Sequence, residues 1–196
     1  MTQLLIYSDL DGSLLDHHDY SHAAADVLLA ELEQQGTPVI PVSSKTRAEL
    51  IELRAELHNT HPFIAENGAA VFIPEDCFSE QPAGTTRRDG FFVREFSLPR
   101  SYWLQKLETA ARPFRRDFTS FEALSIEDIV RLTGLAPDAA RRAAQREYGE
   151  PLRWKGDDER KVAFIRLMEQ HGATILQGGR FMHVSGDCDK GRALRW

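Results

Sequence analysis

The sequence predicts an α/β fold, a doubly wound parallel sheet with an α+β region inserted into it. Three observations carry this expectation. Apolar runs at residues 4–7, 38–42 and 63–65 alternate with two amphipathic stretches, the strand–helix–strand–helix–strand order of such a sheet. The runs are apolar throughout, as in strands covered on both faces. After about Pro82 the order changes to a mixture of strands and helices.

Leu4-Leu5-Ile6-Tyr7 forms the first expected strand, followed by a polar loop from Asp16 to Tyr20. A helix from Ala23 to Gln35 carries an apolar stripe of Ala24, Val27, Leu28 and Leu32, and Gly36 stops it. Pro38 to Val42 is the second strand. Thr46-Arg47-Ala48-Glu49 is a capping-box pattern that opens the next helix, with Leu50, Leu53 and Leu57 on one face. Phe63-Ile64-Ala65 is the third strand, and Asn67-Gly68 turns the chain into Ala70–Ile73. Residues 83–90 read as a connector. Beyond it come a strand at Phe91–Phe96 and a helix at Tyr102–Ala111. Two helices then flank Thr133-Gly134-Leu135, one capped by Ser125 and one with Pro137 in its first turn. A strand at Leu152–Trp154, a helix at Asp158–His171 and a strand at Ala173–Leu176 complete the insertion. The expected division is therefore 1–84 core, 85–176 insertion and 177–196 return to the core.

The 196 residues are 42% hydrophobic and 28% charged, values of an ordinary globular chain. Lys and Arg number 24 against 30 Asp and Glu. This mild acidity argues against a nucleic-acid or anionic-membrane partner. Cys77 and Cys188 have no metal-ligand spacing and read as free thiols of a reducing compartment. The short apolar start lacks the basic flank of a signal peptide, and no stretch is long enough to span a bilayer. A cytoplasmic location is expected. The sequence does not set the oligomeric state.

Ser8-Asp9-Leu10-Asp11-Gly12-Ser13 follows the first strand, at the edge where parallel sheets hold ligands. Asp9 and Asp11, two apart in extended chain, share a face. Such close carboxylates call for a divalent cation. A carboxylate can attack phosphorus to give an aspartyl phosphate, while a second protonates the leaving oxygen and then activates water. A bare Asp-x-Asp is commonly a surface turn. Here an apolar strand precedes it and an α/β pattern follows. Ser43 and Ser44 end the second strand, where a hydroxyl can bond a phosphoryl oxygen, although Ser-Ser-Lys-Thr alone is an ordinary helix cap. Lys190 can neutralise charge on a nucleophile and on a phosphoryl group in transfer.

In this order these elements resemble the haloacid dehalogenase superfamily, and the second Asp resembles its phosphatase and mutase members. The resemblance implies a Rossmann-like hydrolase core with an inserted α+β cap. It makes Asp9 the nucleophile, Asp11 the acid/base, Ser43 the phosphate-binding hydroxyl and Lys190 the charge-balancing lysine. It also implies Mg²⁺, held by the Asp9 carboxylate, the Asp11 carbonyl and a further acid from a later motif. Residues 42–46, 64–69, 131–135 and 178–183 are similar to the mannosyl-3-phosphoglycerate phosphatase family. The implied reaction hydrolyses mannosyl-3-phosphoglycerate to phosphate and mannosylglycerate, a compatible solute, with the cap closing over the substrate.

Such a substrate carries phosphate and carboxylate, so cationic and amide donors should converge on it. Lys45, Arg180 and His183 are candidates, followed by Arg146 and Glu147, for which a solvated helix face is the plainer reading. Asn67 follows the third strand and can position hydroxyls. The other histidines (His17, His18, His22, His58, His61 and His171) read as surface residues. The family continues past the lysine motif to a Gly-Asp-x-x-Asn-Asp segment with the last metal-binding acid. Asp187 and Asp189 precede Lys190 and do not match it in order. A piece of a longer protein is expected, with a shortened chain of weak activity as the alternative. Two other readings remain: a phosphatase of another sugar or polyol phosphate, and a non-catalytic remnant that binds phosphorylated ligands.

Overall fold

A computed structural model describes residues 4–16 and 20–196. The expected loop at 16–20, and His17 and His18 with it, lie largely outside them. The chain divides into two compact units, residues 1–95 with 189–196 and residues 96–188.

In the first unit, β1 (Ile6–Ser8) pairs in parallel with β2 (Val39–Pro41). A parallel bridge between Val42 and Ile64 joins β2 to β3 (Phe63–Ala65). From there the pairing is antiparallel, in the order β3, β4 (Ala70–Pro74), β6 (Phe91–Glu95), β5 (Thr86–Arg88). Helix α1 (Asp26–Gln34) precedes β2, and α2 (Arg47–Glu56) precedes β3. The Thr46–Glu49 capping box forms in both directions at the start of α2. The apolar stripe expected for this helix lies largely uncovered. No residue of α1 is buried, and Val27 and Leu28 are 71% and 58% exposed. Periodicity gives a helix its apolar face but does not say what covers it.

The second unit is α+β. Its sheet is antiparallel, in the order β7 (Phe118–Ser120), β8 (Glu150–Trp154), β10 (Met182–Ser185), β9 (Thr174–Gln177). Trp103 and Leu107 of α3 (Arg100–Thr109) pack with Phe164 and Met168 of α6 (Asp158–Gln170) against Leu152, Met182 and Val184 of the sheet. Helices α4 (Ile126–Thr133) and α5 (Pro137–Ala144) bury Ile129, Ala140 and Ala143 with Phe121. Helix α4 ends on left-handed Gly134.

Both expected boundaries move. Residues 83–90 contain β5, which pairs with β6 across the Asp89-Gly90 turn, so this hairpin extends the first unit's sheet. Residues 177–188 belong to the second unit, because β10 inserts between β8 and β9. The return at α7 (Lys190–Arg195) is shorter than expected.

Candidate functional site

The first unit holds seven of the predicted residues, six of them after its parallel strands and the seventh, Lys190, at the start of α7. Leu10 is fully buried and Leu15 nearly so, which anchors the loop after β1 from below. Asp9 and Asp11, on either side of Leu10, are exposed. The expected alternation is present. The loop closes through bonds from Ser13 and Leu15 amides to the Leu10 carbonyl and from the Gly12 amide to the Leu15 carbonyl. The Asp11 carbonyl is not among the acceptors of these bonds. Asp9 accepts from the Leu10 amide at 2.8 Å on Oδ1 and meets Lys190 Nζ at 2.9 Å on Oδ2. Asp11 Oδ1 meets Lys45 Nζ at 3.0 Å, and Lys45 also lies 5.1 Å from the centre of the Tyr20 ring. The role of Tyr20 beside Lys45 had no signal in the sequence, since the polar loop hides the approach.

Ser43 is buried, and its Oγ accepts from the Lys45 amide at 3.2 Å. Ser44 is half-buried. The turn after β3 is laced to this loop: the Asn67 amide donates to the Ser43 carbonyl at 2.9 Å, and the Glu66 amide to the Lys45 carbonyl at 3.0 Å. Glu66, Asn67 and Gly68 have φ of 47°, 61° and 92°, three left-handed residues in succession. A non-glycine such as Glu66 accepts that strain only where its surroundings determine it. Asp189 Oδ1 accepts from the Arg192 amide at 2.8 Å, so this acid is engaged as the cap of α7.

Carboxylate and carbonyl oxygens are the donors a small divalent cation takes, and Mg²⁺ commonly uses only one or two carboxylates besides phosphate and water. The Asp9–Asp11 loop fits that chemistry. Among the described residues there is no group of three or more His, Cys, Asp or Glu side chains that can hold a metal.

The other four candidates belong to the second unit. Arg146 is half-buried, and its Nε donates to the Gly149 carbonyl at 3.1 Å. Its charge acts on His183, on β10. Burial first, and then Arg146, lower the His183 pKa to about 4, so the imidazole is neutral at pH 7. His183 Nδ1 is buried without a hydrogen-bond partner. The Glu147 carbonyl accepts from the Arg100 amide at 2.7 Å. Arg180 Nη1 donates to the Thr133 carbonyl at 2.7 Å and to that of Leu132 at 3.3 Å, which engages it at the C-terminus of α4. Of the remaining histidines, His22 and His61 are paired with Asp26 and Glu33 and only half-exposed. Cys77 and Cys188 are free thiols, exposed and buried respectively. No helix is long and apolar enough to cross a membrane among the described residues.

Paired carboxylates after β1, each facing a lysine, with a hydroxyl at the end of β2, define a class. Residues 6–83 match the haloacid dehalogenase-like hydrolase family. The fold agrees: a haloacid dehalogenase-like hydrolase from Bacteroides thetaiotaomicron has a TM-score of 0.68 at 14% identity, over 99% of this chain and 75% of that one. Two relatives are more specific. Both are named glucosyl-3-phosphoglycerate/mannosyl-3-phosphoglycerate phosphatase. That of Methanococcoides burtonii is 38% identical over 97% of this chain and 70% of its own length. That of Persephonella marina is 36% identical over 98% and 70%. The chain belongs to this phosphatase family within the haloacid dehalogenase-like hydrolases. Its class is that of the phosphoric monoester hydrolases.

Proposed function

We propose that the chain hydrolyses mannosyl-3-phosphoglycerate to mannosylglycerate and phosphate through an aspartyl phosphate on Asp9. The observation that carries this reading is the pair of ion pairs, Asp9–Lys190 and Asp11–Lys45, at the end of β1. An Asp9 carboxylate oxygen forms a bond to phosphorus as the ester P–O bond breaks, and Asp11 gives a proton to the departing glycerate oxygen. Asp11 then takes a proton from water, the water oxygen bonds to phosphorus, and the bond to Asp9 breaks to release phosphate. Lys190 balances the charge of Asp9 and of the phosphoryl oxygens, and Ser43 Oγ donates to one of those oxygens. Lys45 orients Asp11.

The Asp9 carboxylate and the Asp11 carbonyl would hold Mg²⁺, which when bound supplies further positive charge to the phosphoryl group. Arg146, Glu147, Arg180 and His183 are the candidates for recognising the sugar and glycerate. The names of the relatives support both a glucosyl and a mannosyl ester, and the mannosyl ester is our first choice. The test is phosphate release by this chain and by Asp9→Asn with Mg²⁺ and a panel of both esters and simple hexose phosphates. Release that Asp9→Asn abolishes, fastest with the mannosyl ester, is expected. Equal rates for parent and variant would remove Asp9 from the reaction. Faster turnover of hexose phosphates would change the substrate.

A further inference from the structure

Arg100, the first residue of α3, holds three points around the segment that links α5 to β8. Its backbone amide donates to the Glu147 carbonyl at 2.7 Å. Its Nη1 donates to the carbonyl of Ala144, the last residue of α5, at 3.3 Å. Its Nε donates to Oε2 of Glu150, the first residue of β8, at 2.6 Å. The remaining Glu150 oxygen accepts from the Glu122 amide at 2.9 Å, and the Glu122 carboxylate returns to Arg100 at 3.0 Å. Glu150 is 0% exposed.

A buried ion pair of this kind is a poor stabiliser, because its desolvation offsets much of its attraction. Burial pushes the Glu150 carboxyl up, against the pull of Arg100. What the pair supplies is direction. A planar guanidinium bonded at fixed angles to two elements leaves the intervening residues few conformations. Arg146 lies within those residues, and its charge reaches both Glu150 and His183.

We infer that Arg100 and Glu150 are positioning residues, which hold the 145–149 segment so that Arg146 is set for the carboxylate or hydroxyls of the substrate's glycerate. This rests on the reading of Arg146 as a substrate contact. Ordering the segment in the folded protein removes an entropic cost that binding would otherwise meet.

The test is equilibrium binding of mannosyl-3-phosphoglycerate and of inorganic phosphate, with Mg²⁺, to the full chain carrying Asp9→Asn, which stops the first bond-forming step. Arg146→Ala is expected to weaken the ester about tenfold and inorganic phosphate little. Arg100→Met reproduces most of that loss, and adds less than about twofold when Arg146→Ala is already present, as residues acting through one another do. Arg100→Lys, which keeps the charge without the fork, serves where the Met variant does not fold, and falls between. Ester affinity untouched by Arg100 variants but reduced by Arg146→Ala overturns the positioning role and leaves the Arg146 reading intact. Ester affinity untouched by Arg146→Ala, or no ester binding by the parent, overturns both. Equal losses for ester and inorganic phosphate mark a general structural defect and overturn the positioning role.

Discussion

Gly68 stands against the backbone of Asp189 so closely that a Cβ on it would lie 2.3 Å from the Asp189 carbonyl oxygen. The turn after β3 and the first residues of α7 thus meet backbone to backbone, and Lys190 is set from that contact toward Asp9. The left-handed φ of Gly68 adds a second reason for glycine. Gly68→Ala is expected to displace the Asp189–Lys190 peptide, lower stability by roughly 1–3 kcal/mol and reduce turnover. Gly90→Ala is the control, since Gly90 shares a left-handed φ but has open space where its Cβ would be. Comparable turnover for the two variants would show that the close approach has no bearing on Lys190.

Lys190→Met removes the cation 2.9 Å from Asp9. Loss of a charge aimed at a transferring group costs about 100- to 1000-fold in turnover. Lys45→Met leaves Asp9 its partner and should cost less. Single-turnover phosphate release by the two variants at saturating substrate decides the order. A larger loss for Lys45→Met would give it the charge-balancing role.

Much of this site was legible because its residues are joined by short chain segments. Asp9 and Asp11 follow one strand, Ser43 and Lys45 another, and Asn67 a third, so the order of elements alone brings them to one edge. The Thr46 capping box was legible for the same reason. Contacts across long separations were not. Arg100 and Glu150 are fifty positions apart, and each alone reads as an ordinary surface charge. Strand β10 was mistaken for core because its neighbours in the sheet, β8 and β9, precede it and its own pattern is short. The exposure of Val27 and Leu28 on α1 was not legible either, because an apolar stripe carries no information about its cover.

His183 gives the second unit a dependence on pH. Its folded-state pKa, about 4, lies below the ordinary 6.5. Between these values the unfolded chain binds more protons, so stability is fully present above pH 6.5 and is lost as pH falls toward 4. The loss between pH 7 and pH 5 is about 2 kcal/mol. His183→Phe, which also removes the unpartnered Nδ1, should flatten this part of the profile. Denaturant midpoints at the two pH values measure it. An equal drop for parent and variant would place the sensitivity elsewhere.

The Arg100–Glu150 pair predicts an asymmetry between single and double replacement. Glu150→Ala leaves a mostly buried guanidinium with only the exposed Glu122 carboxylate as its ionic partner, and the Glu122 amide without its acceptor. Breaking a buried pair from one side costs about 3–5 kcal/mol. Arg100→Met together with Glu150→Leu removes both charges and fills the space with apolar atoms, so it should cost distinctly less than Glu150→Ala. Trp103 and Trp154 report unfolding of the second unit once Trp196, in the first unit, is replaced by Phe. Urea titrations followed by tryptophan fluorescence then compare the variants. A double variant as unstable as Glu150→Ala would mean that the pair contributes net stability and is not held chiefly for the direction it gives the 145–149 segment.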